Sequence, residues 1–226
     1  GIDIASGTNG LKLEKDELPS LVDSLTYLRF NINAAEPMAY AEIMGTSEKN
    51  YYKVIDNIKE CVRLKRNRGS TVTIGLQMVL MPEYADQVIP LTLLGEELGV
   101  DYTIIKHCTD DENGRLGVDY SWYRSELAQE LLKTAESFST PMYSVQTKWS
   151  KINTGRDRKY SKCFGTPLML QMSGTGIVAP CGSFFHKRYG RYHIGDLKEE
   201  RFSKLWASDA YQEVMSYLAS ELFDPR

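Results

Sequence analysis

The chain has 226 residues, 42% of them hydrophobic and 25% charged, which is enough apolar material for one large domain or two small ones and excludes wholesale disorder. Its 27 Lys+Arg and 30 Asp+Glu give a net charge of −3, too small and too evenly spread to steer the protein toward nucleic acid or an anionic membrane. No apolar run approaches the roughly 18 residues of a membrane span, and residues 1–10 lack the basic start and apolar middle of a signal peptide. The cytoplasm is therefore the expected location. Two local basic runs, Lys65-Arg66-Asn67-Arg68 and Arg156-Asp157-Arg158-Lys159, read as solvated helix ends or loops.

In chain order, the first 140 or so residues alternate β-rich runs with helical patterns, the signature of strand–helix–strand units and a parallel sheet. Gly1-Ile2-Asp3-Ile4 resembles mid-strand sequence with no initiator Met, so the chain reads as cut at its start, and Gly7-Thr8-Asn9-Gly10 marks a turn. Residues 16–25 carry Leu18, Leu21, Val22 and Leu25 at helical spacing. Residues 27–33 alternate apolar and polar side chains as a two-faced strand does, and a loop is expected at Glu36-Pro37. A helix starts near Ser47, where Ser47-Glu48 is a candidate cap, buries Val54, Ile55, Ile58 and Val62, and stops at Gly69. Residues 71–80 form a β-branched strand, and a helix follows to Gly99. Residues 101–106 form the next strand, and residues 125–138 an amphipathic helix with Leu127, Leu131, Leu132 and Ala135 inward. Four strands and four helices make about half of a closed eight-unit barrel, a partial TIM-like (β/α) architecture.

From about residue 139 the pattern changes, and a small α+β module is expected over residues 141–226. Ser173-Gly174-Thr175-Gly176 reads as a hairpin turn, and one helix over residues 200–218 is expected to bury Phe202, Leu205, Trp206, Tyr211, Val214 and Leu218. Four cysteines are too few for a disulfide scaffold, which leaves metal binding or burial. Cys163 and Cys181 flank the hairpin, whose folding brings its ends together, so both sulfurs are candidates for one soft metal centre. On the residues alone they also read as two free thiols. Cys61 reads as core packing.

Cys163, Gly176-Ile177-Val178-Ala179-Pro180-Cys181, Ile194-Gly195-Asp196-Leu197 and Phe202-Ser203-Lys204-Leu205-Trp206 together resemble the opening of the SPASM or twitch module of radical S-adenosylmethionine (radical SAM) enzymes. Upstream, Thr8-Asn9-Gly10, the run Tyr27-Leu28-Arg29-Phe30-Asn31-Ile32-Asn33-Ala34, and Leu98-Gly99-Val100-Asp101-Tyr102 resemble strand regions of the radical SAM partial barrel. The resemblance implies a 4Fe-4S auxiliary cluster with Cys163 and Cys181 as its first two ligands. It also implies a second 4Fe-4S cluster, held by a CxxxCxxC loop, on which S-adenosylmethionine is reductively cleaved to a radical that abstracts a substrate hydrogen. Cysteines at 61, 108, 163 and 181 cannot form that loop. The expectation is thus a fragment of a radical SAM oxidoreductase or transferase, incompetent alone, with an incomplete auxiliary ligand set. Its substrate would be a peptide, sugar or small molecule, and its remaining partner the N-terminal part of the same protein.

By the same resemblance, Asn31 and Asn33 stand where the family reads Ser-x-Asp and contacts the cofactor. Gln77, mid-strand, is expected to face the barrel interior and meet cofactor, substrate or an internal partner, because an unpaired buried amide costs about 1–3 kcal/mol. Lys106 and His107, at the carboxyl end of a barrel strand, are candidates for contact with substrate or adenine, or else surface residues. His186 and His193 flank a basic aromatic stretch that reads as a solvated loop or the lining of a cluster. Two other readings stay open: a non-catalytic half-barrel that only binds, and an α/β protein with zinc at Cys163, Cys181 and His186 or His193.

Overall fold

A computed structural model describes residues 1–110, 113–155 and 161–224; the basic run at 156–159 lies outside the described residues. The chain divides into two compact units, Gly1–Arg156 and Asp157–Arg226. The first holds five strands, β1 (Ala5–Thr8), β2 (Tyr27–Asn31), β3 (Thr73–Leu80), β4 (Tyr102–His107) and β5 (Ser144–Thr147), in sheet order β1-β2-β3-β4-β5. All four pairings are parallel. Helices α1 (Leu18–Ser24), α2 (Pro37–Met44), α3 (Glu48–Arg68), α4 (Val88–Leu98), α5 (Glu126–Ser137) and α6 (Trp149–Thr154) lie between or after the strands. This is the α/β, partial (β/α) barrel architecture that the alternating pattern predicts.

Period-two alternation gives the sheet two unlike faces. Leu28, Phe30, Ile32, Ile74, Leu76 and Ile105 belong to one buried cluster with the helices' Leu18, Val22, Val54, Ile58, Leu91, Leu132 and Ala135. The long α3 shows why its residues form a helix. Val54, Ile55, Ile58, Cys61 and Val62 bury one stripe, and Gly69 ends it at φ 64°, with the Gly69 and Ser70 amides returning to the carbonyls of the last turn. Its basic last turn is the expected helix end, but it is ion-paired rather than merely solvated: Lys65 Nζ lies 2.6 Å from Asp101 Oδ1, and Arg68 pairs with Asp23. Asp101 Oδ2 also accepts from the Ile74 amide at 2.6 Å, which fixes the approach to β4.

Several elements of the first unit differ from the sequence expectation. The first strand is Ala5–Thr8 rather than residues 1–4, so Gly7 and Thr8 lie in β1 and not in a turn. Glu36-Pro37 opens α2 rather than a loop, because proline at the first helical position already has helical φ and no amide to waste. Ser47 occupies the N-cap of α3 but its side chain makes no capping bond. Leu127 is 70% exposed, not inward. The sheet also continues past residue 140, where the sequence pattern changes, since β5 and α6 belong to the first unit. β5 is four residues long with only Val145 and Thr147 buried, too short for its alternation to stand out.

The second unit is a three-stranded antiparallel sheet, β6 (Gln171–Met172), β7 (Ile177–Ala179) and β8 (Gly195–Asp196), with α7 (Phe202–Trp206) and α8 (Asp209–Ala219). Val178, Ile194, Leu205, Val214 and Leu218 form its core. The single helix expected over 200–218 is two, because Ser208 accepts a hydrogen bond from the Tyr211 amide and starts α8 afresh. Phe202 and Trp206 remain about half exposed.

Gly75 of β3 lies opposite Tyr102 of β4, whose ring covers the space a Cβ would fill. Gly75→Ala is expected to cost about 1–3 kcal/mol by overpacking, read as a lower urea midpoint. An unchanged midpoint would mean that the Tyr102 ring is free to move aside.

Candidate functional site

The second face of the parallel sheet carries the candidate residues. Registers Arg29↔Gly75↔Tyr102, Asn31↔Gln77↔Ile104 and Val79↔Lys106 stack these positions in rungs across β2, β3 and β4. Side-chain contacts confirm the shared face: Gln77 Nε2 donates to Asn31 Oδ1 at 2.8 Å, and Tyr27 and Tyr102 stack with ring centroids 5.5 Å apart and hydroxyls in contact. Gln77 is 5% exposed, and its bond to Asn31 meets the polar requirement that its position imposes. Asn33 lies just beyond β2. Its Oδ1 accepts from the Val79 amide at 2.9 Å and its Nδ2 lies 3.4 Å from Met44 Sδ, so it braces the end of β3. The sequence reading brings Asn31 and Gln77 to one face but gives no sign of this link from Asn33 to Val79.

Lys106 is partly buried on the same face. Burial lowers its pKa, and the neighbouring charges of Lys151, Arg29 and Lys148 lower it further. His107 points the other way, is 4% exposed and packs against Tyr120 and Tyr123 with ring centroids 5.6 and 5.7 Å away. It is therefore neither a surface residue nor a rung of the Lys106 face, because the strand period sends adjacent residues to opposite sides. Burial lowers its pKa most, followed by Lys151 and Lys106 against a raising bond to the Cys108 carbonyl. Tyr123, which no sequence signal singled out, ties the strand ends together: its hydroxyl donates to the Leu80 carbonyl at 2.5 Å and accepts from the Cys108 amide at 3.3 Å.

In the second unit Cys163 and Cys181 are half-buried free thiols, whereas Cys61 and Cys108 are buried. Gly176, at φ 95°, closes the turn between β6 and β7; a side chain there would run into Asp196 of β8. Pro180-Cys181 follows β7 directly. His193 Nε2 is 2.8 Å from the Phe184 carbonyl, and His186 Nδ1 accepts from the Arg188 amide. Among the described residues no three of His, Cys, Asp and Glu gather as a metal site. The zinc set of Cys163, Cys181 and a histidine is therefore not assembled among the described residues. For an iron–sulfur cluster, two thiolates fall short of the usual four.

Two outcomes follow. Burial pushes the Cys61 thiol up to about 12 and also raises Cys108, so a thiol reagent at pH 8 should titrate two cysteines in the native chain and all four after unfolding. Rapid labelling of Cys61 would contradict the core placement. Lys106, whose folded pKa is lowered, penalises the folded state while charged, and the penalty fades as pH rises to where the lysine is neutral in both states. Lys106→Met should thus raise the urea midpoint at pH 7, with the gain shrinking toward pH 10. A gain independent of pH would point to packing instead.

Residues 163–224 match the family model described as SPASM, an iron–sulfur cluster-binding domain, and Cys163 is the first residue matched. Among curated proteins, none matches the sequence. Solved structures with the same fold include Streptococcus suis SuiB bound to S-adenosylmethionine (TM-score 0.67, 15% identity, covering 96% of this chain and 51% of that one). They also include SuiB bound to its precursor peptide SuiA (0.65, 14%, 97% and 50%) and anSMEcpe with bound AdoMet (0.63, 13%, 97% and 60%). The chain spans about half the length of SuiB. Among the described residues no helix is long and apolar enough to cross a membrane. Residues 163–224 thus match the SPASM iron–sulfur cluster-binding family model, and the chain as a whole shares its fold with SuiB and anSMEcpe.

Proposed function

We propose that this chain belongs to an enzyme that reductively cleaves S-adenosylmethionine and abstracts a hydrogen atom from a peptide substrate. The observation that carries the reading is the SPASM match beginning at Cys163, joined to a parallel sheet whose fold is shared with proteins solved with AdoMet and with peptides. Sugars and other small molecules are the alternative substrates, and the cytoplasm the proposed location. Within that enzyme, the polar face of the barrel strands would receive cofactor and substrate. Asn31 and Gln77 would present amide groups to the cofactor from one rung, Asn33 would hold the ends of β2 and β3 in place, and Lys106 would supply a cation at the strand ends.

Cys163 and Cys181 would be two ligands of an auxiliary 4Fe-4S cluster, which supplies electron transfer or substrate ligation when bound. No CxxxCxxC loop occurs in the 226 residues, so the chain by itself is expected not to cleave the cofactor. The same observation favours the second reading, a half-barrel that binds without catalysing.

Anaerobic reconstitution with iron and sulfide tests the ligand assignment. The chain alone should retain well under the about four iron of a complete cluster, and Cys163→Ala should lower what is retained. About four iron per chain, unchanged by that substitution, would overturn the role of Cys163. Equilibrium dialysis against labelled S-adenosylmethionine separates the barrel part of the reading: Gln77→Leu should weaken retention several-fold, and unaltered retention would remove Gln77 from the site.

A further inference from the structure

The sheet of the second unit has an open edge beside an apolar groove. Registers Met172↔Val178↔Gly195 run one rung across β6, β7 and β8, so these residues share a face. The inner part of the rung is covered: Val178 is buried, and Leu205 of α7 occupies the space a Cβ on Gly195 would take. The outer part is open, since Met172 is 62% exposed. A groove of about 300 Å³ lies there, lined by Leu170, Met172 and Val178 from the sheet and by Leu197, Phe202 and Trp206 from the segment that follows it. Its volume stands at the lower end for ligand pockets, room for one large side chain. Trp206 stacks on Tyr211 with ring centroids 4.9 Å apart and lies 5.9 Å from the Phe202 ring, so the aromatic side of the groove is braced.

The backbone of Met172 adds an independent sign. The Ser173 amide donates to the Ile177 carbonyl at 2.9 Å, which makes Ser173 and Ile177 a hydrogen-bonded pair. An antiparallel ladder alternates, so the next pair, Met172 and Val178, is a non-hydrogen-bonded one. The N–H and C=O of Met172 therefore point away from β7, off the free edge of the sheet. Among the described residues no loop backbone folds back to take them up. Such an edge selects one kind of ligand, an extended peptide that adds a strand. In antiparallel pairing the residue that exchanges both bonds with Met172 stands directly opposite it, with its side chain on the same face, beside the groove. A thioether and two aromatic rings there favour an aromatic side chain.

We propose that the β6 edge docks an extended stretch of a peptide substrate and that the groove seats one of its aromatic side chains. The proposal rests on the peptide-substrate reading above and assigns that peptide a contact in the second unit. A second copy of the chain fits less well. Short edge strands blunt pairing between folded edges, and β6 has two residues, whereas a flexible peptide adapts to edge and groove together.

The test uses the 226-residue chain and a fluorescein-labelled, end-blocked heptapeptide of threonine and valine with one central phenylalanine, read by anisotropy. Replacing the phenylalanine by glycine should weaken binding about tenfold, the worth of burying one aromatic side chain. N-methylation at the phenylalanine, which removes the amide that meets the Met172 carbonyl, should weaken it at least about threefold. Met172→Glu, which sets a carboxylate in the groove, should weaken it about tenfold or more, and Phe202→Ala about threefold. Met142→Glu, at an exposed methionine of the first unit, should have no effect. The two altered peptides leave the protein untouched, which separates lost contacts from misfolding. Absence of binding by the unaltered chain, equal binding of the phenylalanine and glycine peptides, or indifference to N-methylation or to Met172→Glu would overturn the proposal. A dimer that Met172→Glu dissociates, with no peptide bound, would overturn it in favour of self-pairing. Peptide bound with this pattern by a chain that does not retain S-adenosylmethionine would support the docking edge while sinking the cofactor reading, and S-adenosylmethionine retained without peptide binding would overturn the docking edge alone.

Discussion

The parallel register of β2, β3 and β4 is the constraint on which the rest of the first unit depends. Once Tyr27 pairs with Thr73 and Gly75 with Tyr102, a strand period of two fixes every other side chain on those strands. Leu28, Phe30, Leu76 and Ile105 go to the helices, and Arg29, Asn31, Gln77 and Lys106 go together to the opposite face. A slip of one residue would bury Arg29 in the helix-facing core and expose Phe30. The apolar core therefore enforces the polar face at no separate cost, and Gly75 makes the register specific by leaving room for the Tyr102 ring alone.

That division explains which features were legible in the sequence. The strands at 27–33, 71–80 and 101–106 and the helix ending at Gly69 show clear periodicity and clear stops, and they sit where expected. The weaker features fail for identifiable reasons. β5 offers too few residues for alternation to register, Pro37 signals a helix start as readily as a break, and Ser208 interrupts a run whose apolar spacing continues through the interruption. Leu127 falls on the helical stripe by spacing, yet the stripe is wider in sequence than the surface α5 covers.

At the site the contrast is similar. Spacing alone puts Asn31 and Gln77 on the same face, whereas of the two cysteines only Cys181 directly follows the β6–β7 hairpin, and Cys163 lies eight residues before its first strand. Spacing says nothing of the Gln77–Asn31 bond, of Asn33 holding Val79, or of Tyr123 joining the ends of β3 and β4, because each is a contact between residues more than ten positions apart. His107 shows the hazard of reading strand ends by position only. It is adjacent to Lys106 in sequence and on the other side of the sheet in space.

The central claim is that the face bearing Asn31, Gln77 and Lys106 is the working face of this protein. Nuclear magnetic resonance of the isotopically labelled chain titrated with S-adenosylmethionine tests it most directly, since the side-chain amides of Asn31, Asn33 and Gln77 report on that face. The account predicts that these amides shift progressively while the backbone amides of α1 and α3 on the opposite side stay in place. Shifts confined to those helices, with the three amides unmoved, would contradict it.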